Sequence, residues 1–293
     1  MDPVRATRYV TPLREGGSLP GLMEADDLGM YVVKFRGAGQ GPRALVAEVI
    51  CAGLAGGIGL RVPRWIPIEV PAEMAPAEPD EEVQHLLRAS AGTNLGIDFL
   101  PGALDVGPGP AVDPVLAGRI IWLDALVNNV DRSWRNPNML LWHRELQLID
   151  HGAALTFHHA WAPGKPDQVH RFATRSYDVT DHALVECAPR VAEADAAVEG
   201  VEMGNVVADA LAAVPDSWLE PDGQAWGGAD EVRAAYVEFL MARLAERGSW
   251  VPQLVADVAR GAARDGRGHR VSGRQAPGPP DWIPELKIGR EDA

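Results

Sequence analysis

At 293 residues, with 46% hydrophobic and 23% charged residues, the chain has the composition of an ordinary globular protein able to bury a substantial core. Its formal charge of −14 excludes a general binder of nucleic acid or of anionic membranes, leaving room only for local basic sites. The N-terminal MDPVRATRYV lacks an apolar signal-peptide core, no apolar run is long enough to span a bilayer, and Cys51 and Cys187 read as small buried residues, so the expected location is the cytoplasm.

From the N-terminus, strand-like segments fall at about 7–13, 30–36, 64–70 and 93–100, alternating with helical ones at about 43–56 and 80–90. They predict a smaller mixed β/α unit over residues 1–100. Within it, the segment Gly29 to Phe35 is β-branched and aromatic enough for a buried strand, yet it carries Lys34 near its end. The Gly-rich turn from Gly37 to Pro42 leads into a helix from about Ala44 to Ala55, and between Arg43 and Arg61 the one charged residue is Glu48. An ammonium in an apolar strand and a carboxylate on an apolar helix are both costly to bury unpaired. Lys34 and Glu48 are therefore each other's most economical partners. Asp98, Phe99 and Leu100 close this unit, either as a plain edge strand or as backbone presented to adenine.

Pro-rich spacers at Pro71 to Pro79 and Pro101 to Pro114 punctuate the chain, and the second is expected to lead into a larger, mainly helical unit over 101–264. Asp113-Pro114 reads as N-cap and first residue of a helix running to about Val127. Its Leu116, Ile120, Leu123 and Val127 are expected to anchor the loop around Asp131. Further helices are predicted at about 179–197, 204–213, 229–247 and from Val251 to Arg260. Beyond Gly261 the periodicity is lost, and 265–293 reads as a flexible C-terminal tail.

The segment richest in chemistry is NVDRSWRNPNMLLWHRELQLIDHG, Asn129 to Gly152. Asp131 and Asn136 stand five positions apart in a loop, and two short apolar runs, Met139 to Trp142 and Leu146 to Ile149, deliver Asp150 before His151-Gly152. Moving a γ-phosphoryl group requires mostly that metal, phosphates and acceptor hydroxyl be held in line. Magnesium takes hard oxygen ligands, which Asp150 and Asn136 can supply; Asp131 would face the acceptor hydroxyl as base. Any one of these residues alone is a common loop former. The spaced set makes an ATP- and magnesium-dependent kinase the leading reading, with Arg132 and Ser133 expected to matter less than Asp131.

Lys34, Glu48, the N-x-D-R-x-x-x-N run and the I-D-H-G run together resemble the HipA-like kinases, a bacterial branch of the protein-kinase-like fold. The resemblance implies an α+β, two-lobed architecture with a small mixed N-lobe and a mainly helical C-lobe. It implies Asp131 as catalytic base, Asn136 and Asp150 as metal ligands, Lys34 as phosphate contact and Glu48 as its partner. The turn Gly16-Gly17-Ser18 would be the phosphate-covering loop, although it lacks the full G-x-G-x-x-G pattern. The acceptor that the family implies is a protein Ser or Thr hydroxyl. The Asp131-Arg132 pair is also similar to the loop of phosphatidylinositol kinases, but Ser133 replaces their histidine, which argues against a lipid acceptor. His151 replaces the Phe of D-F-G. The chain is shorter than the toxin HipA, so a toxin role does not follow.

Three other readings compete. A small-molecule phosphotransferase of the aminoglycoside-kinase type also ends its hairpin in I-D-x-G, but usually carries H-G-D where this chain has Asn129-Val130-Asp131. A pseudokinase binding module is opposed by the presence of all five key polar residues. A metal hydrolase built on His143, His151, His158 and His159 lacks any H-E-x-x-H spacing, and the adjacent pair is expected to diverge on a regular element. The acidic surface slightly favours a neutral or basic acceptor.

Overall fold

A computed structural model describes residues 4–13, 19–39, 41–107, 112–220 and 226–262; the Gly16-Gly17-Ser18 turn and the 265–293 tail lie outside them. The first half is built from β1 (Val4–Pro12), β2 (Gly21–Ala25), β3 (Met30–Lys34), α1 (Pro42–Gly57), β4 (Trp65–Val70), α2 (Glu81–Ala89) and β5 (Gly92–Asp98). The strands lie in the order β1-β2-β3-β5-β4 and close into a barrel where β1 meets β4 in parallel at Val4↔Ile68 and Arg5↔Glu69. Alternation puts Met23, Tyr31, Val33, Ile66 and Ile68 inside, where they pack with Val83 and Leu87 of α2. Asp80 caps α2 by accepting from the Glu82 and Val83 amides at 3.0 and 3.3 Å. Strand β2, GLMEA, is not foreseen from the sequence because it lacks β-branched residues; pairing on both edges makes it a strand.

The second half contains β6 (Leu104–Asp105), α3 (Pro114–Val127), β7 (Met139–Trp142), β8 (Glu145–Leu148), α4 (Pro166–Ala173), α5 (Val191–Val198), α6 (Met203–Ala212), α7 (Asp216–Leu219), α8 (Ala229–Ala245) and α9 (Arg247–Ala262). Helix α3 starts as its sequence dictates, with Asp113 accepting from the Val115 and Leu116 amides at 2.9 and 3.2 Å and Pro114 in the first turn. It ends on Asn128 in the left-handed conformation, where asparagine is tolerated. Strands β7 and β8 form the expected hairpin; His143 and Arg144, both at positive φ, make the two-residue turn that matches strand twist. One large core joins α1, α3, the hairpin and the later helices. Helix α1 packs against α6 and α7, and Gly57 permits the approach of α6, since a Cβ there would collide with Val206.

The helix predicted over 179–197 is corrected: regular helix begins only at Val191. Residues before it make turns around a short 3-10 segment, Val185–Cys187, because the Asp181-His182 backbone pairs with the Ser133-Trp134 backbone instead. Helix α4 is an addition to the predicted elements, although Pro166 and Asp167 in its first turn are helix-start residues. Both cysteines are buried thiols. Among the described residues, no helix is long and apolar enough to cross a membrane.

Candidate active site

Three chain-distant elements meet at Lys34. Its Nζ, at the end of β3, bonds Glu48 Oε1 of α1 and lies 2.7 Å from Asp150 Oδ1 just after β8. The second oxygen of Glu48 accepts the His151 backbone N–H at 2.9 Å. A single ammonium and its two carboxylates therefore tie the barrel, the long apolar helix and the hairpin together. Burial alone would pull the Lys34 ammonium down, but the charges of Glu48 and Asp150 outweigh it and hold the amine above its ordinary value. Burial likewise opposes charge on Glu48; Lys34 and His151 reverse that and hold the carboxyl well below the usual range. Asp150 itself adopts φ 57°, a conformation uncommon outside glycine that aims its carboxylate back at Lys34.

The Lys34 side chain is 14% exposed and that of Asp150 44%. Lys34→Met is therefore expected to destabilise the fold by less than the ~3–5 kcal/mol of breaking a dry pair, because water can reach Asp150. Urea denaturation of the variant beside the parent checks this; unchanged stability would show that Glu48 is already satisfied by His151 alone.

The loop after α3 is held from beneath. Asp124, within α3 and fully buried, accepts from Arg132 Nε at 2.7 Å, Asn129 Nδ2 at 2.9 Å and His182 Nε2 at 3.0 Å. His182 Nδ1 accepts the Leu184 N–H at 3.1 Å, which places the ring proton on Nε2, facing Asp124. Arg132 continues to the Asn138 carbonyl at 2.5 Å, and Tyr177 donates to the Asn129 carbonyl at 2.7 Å. Burial disfavours the Asp124 carboxylate, yet Arg132 and His182 hold it well below the ordinary range. Arg132 is the buried cation on which the loop is built, a structural role that the motif does not disclose. Asp124 itself is absent from the motif and escapes a reading based on it.

On this base Asp131 is presented half-buried, with Oδ2 accepting from Asn136 Nδ2 at 2.8 Å and Asn138 Nδ2 at 3.1 Å. Asn138 also reaches the Asp150 carbonyl at 3.5 Å, so one side chain links the loop to the hairpin end. Asn136 spends its amide nitrogen on Asp131 and keeps its carbonyl oxygen, while Asp150 keeps the oxygen not facing Lys34. Those are hard, accessible donors of the kind a magnesium ion takes.

At the end of β5, the Asp98 amide donates to the Arg64 carbonyl at 2.8 Å and the Phe99 amide to the Met30 carbonyl at 3.0 Å. Sheet closure therefore engages both of these amides. The histidines are arranged otherwise than expected. His158 and His159 do not diverge; their Nε2 atoms lie 3.1 Å apart in a 3-10 turn, and His158 Nδ1 meets the Tyr236 hydroxyl at 2.9 Å. Burial, then His159 and Arg43, keep the His158 ring well below its usual pKa. His158 is buried against the rings of Phe157 and Tyr236, a core position, whereas His159 is exposed. Among the described residues no group of three or more His, Cys, Asp or Glu side chains is arranged to hold a metal ion.

The fold has a solved counterpart. It is similar to that of the Helicobacter pylori proinflammatory kinase CtkA, with a TM-score of 0.50 over 88% of this chain and 96% of that one at 10% identity. The family model for HipA-like kinases matches residues 7–251, and the chain belongs to that family. No curated protein matches the sequence.

Proposed function

We propose that the protein is a cytoplasmic, ATP- and magnesium-dependent kinase that phosphorylates a protein Ser or Thr hydroxyl. The observation carrying this reading is the convergence of Lys34, Glu48 and Asp150, which the sequence separates by up to 116 positions. In this reading residues 1–100 bind the nucleotide and residues 101–264 supply the catalytic loop. Lys34 neutralises phosphate charge, and Glu48 keeps its amine in place while His151 fixes Glu48 from behind. Asp150 and Asn136 would hold magnesium, which when bound offsets charge on the phosphates. Asp131 takes the proton of the acceptor hydroxyl through Oδ1 or Oδ2, its orientation set by Asn136 and Asn138. The segment from Asp98 to Leu100 faces adenine, Leu100 donating its amide, and Gly16, Gly17 and Ser18 cover the phosphates.

Saturating ATP with magnesium is expected to raise the melting temperature, since ligand at about a hundredfold its dissociation constant stabilises the native state by roughly 2.7 kcal/mol. Zinc alone should move it little. A shift with zinc and none with ATP would overturn the proposal.

A further inference from the structure

Between Asp131 and Asn136 the chain makes a tight two-residue turn. The Ser133 N–H donates to the Asn136 carbonyl at 3.1 Å, and the Asn136 N–H returns to the Ser133 carbonyl at 3.0 Å. Trp134 and Arg135 are the two residues at its tip. The turn is also fixed from the side, because the Trp134 N–H donates to the Asp181 carbonyl at 3.0 Å and Ser133 forms a bridge with His182. The guanidinium carbon of Arg135 lies 4.1 Å from the centroid of the half-buried Trp134 ring. Arg135 is exposed, and among the described residues no carboxylate lies within ion-pair distance of it. Asp178, in the segment leading to Asp181, turns its carboxylate onto the Thr180 N–H at 2.9 Å. A cation over an aromatic ring, on an exposed residue, thus stands one residue from the asparagine whose amide bonds Asp131.

We propose that Trp134 and Arg135 form an acceptor subsite for an anionic group, so that the protein segment phosphorylated carries Asp, Glu or a phosphorylated residue close to its hydroxyl. This inference rests on the loop of Asp131 being the catalytic one. The physical reason is preorganisation: a flexible arginine loses side-chain freedom when it clamps a carboxylate, whereas one already stacked on indole has lost much of it. Its planar donor fork matches carboxylate or phosphate bidentately. The setting sharpens the point. A protein of formal charge −14 repels acidic segments at long range, so a preference for them must come from a local cation.

The test uses two fluorescein-labelled nonapeptides with a central serine, one flanked by Asp and Glu, the other by Lys and Arg. Anisotropy titrations are run with a non-hydrolysable ATP analogue and magnesium on the parent, Arg135→Lys and Arg135→Glu, with melting temperatures confirming that each variant folds. The parent is expected to bind the acidic peptide more tightly than the basic one. Arg135→Glu should reverse that order, lowering the acidic-to-basic affinity ratio by about tenfold or more, and Arg135→Lys should fall between because it keeps the charge and loses the stack. Tighter binding of the basic peptide by the parent, binding of neither peptide, or one ratio shared by parent and Arg135→Glu would overturn the subsite. The nucleotide reading fails separately: a peptide ratio that responds to Arg135→Glu in a protein whose melting temperature ignores ATP would leave the anionic subsite standing and remove the kinase mechanism.

Discussion

Asp131→Asn is expected to lower phosphoryl transfer by roughly two to four orders of magnitude while leaving ATP affinity near the parental value. The substitution keeps the size of the side chain and an oxygen for the amides of Asn136 and Asn138, so the loop geometry survives. It replaces the carboxylate, the base in this mechanism, with a carboxamide too weakly basic to take the acceptor proton. Asp150→Ala should behave differently, because Asp150 bonds Lys34 at 2.7 Å and its other oxygen is the metal donor in this mechanism. ATP affinity measured with magnesium should fall along with transfer. The contrast is read by titrating ATP and following labelled phosphate on both variants side by side. Equal loss of ATP affinity in the two would mean that Asp131 belongs to the nucleotide site and that the division of labour is wrong.

Asp124→Ala is expected to be the most destabilising single change in the loop scaffold, at about 3–5 kcal/mol, the range for stripping one partner from a buried ion pair. Asp124 and Arg132 are both fully buried, and the truncation would leave the guanidinium with carbonyl partners only. His182 and Asn129 would lose an acceptor in the same step. Urea unfolding at neutral pH measures the loss. A cost below about 1 kcal/mol would show the triad to be hydrated. The same groups set the pH dependence. Asp124 and Glu48 are held below the ordinary carboxylate range in the folded state, so their contribution is present above about pH 4 and is lost as pH falls through that region toward their lowered values. The parent should therefore lose stability steeply in acid, and Asp124→Asn should flatten the profile.

What the sequence discloses and what it hides have a common physical basis. Glu48 is legible because a lone charge on an apolar helix demands a partner, and Lys34 because a strand lysine does too. The same reasoning applied to α3 points to Asp124, the single charged residue between Arg119 and Asp131, a signal that the denser motif beyond it obscures. The hairpin and the start of α3 are encoded locally, in alternation and in the Asp113-Pro114 cap. Strand β2 and the turns around His182 are not, since both owe their conformation to partners distant in the chain: β1 and β3 for the first, Ser133 and Asp124 for the second. Arg132 illustrates the limit of motif reading. Next to the aspartate of the D-R pair its type looks incidental, and only the buried cluster with Asp124 and His182 reveals why an arginine stands there.

Phosphoryl transfer itself is measured by one incubation: terminally labelled ATP and magnesium with a host-cell extract, the parent protein in one tube and Asp131→Asn in the other. Label is expected on one or more extract proteins, at Ser or Thr, in the parent tube and to be nearly absent with Asp131→Asn. Equal labelling in both tubes, or label confined to small molecules, would contradict a protein kinase that works through Asp131.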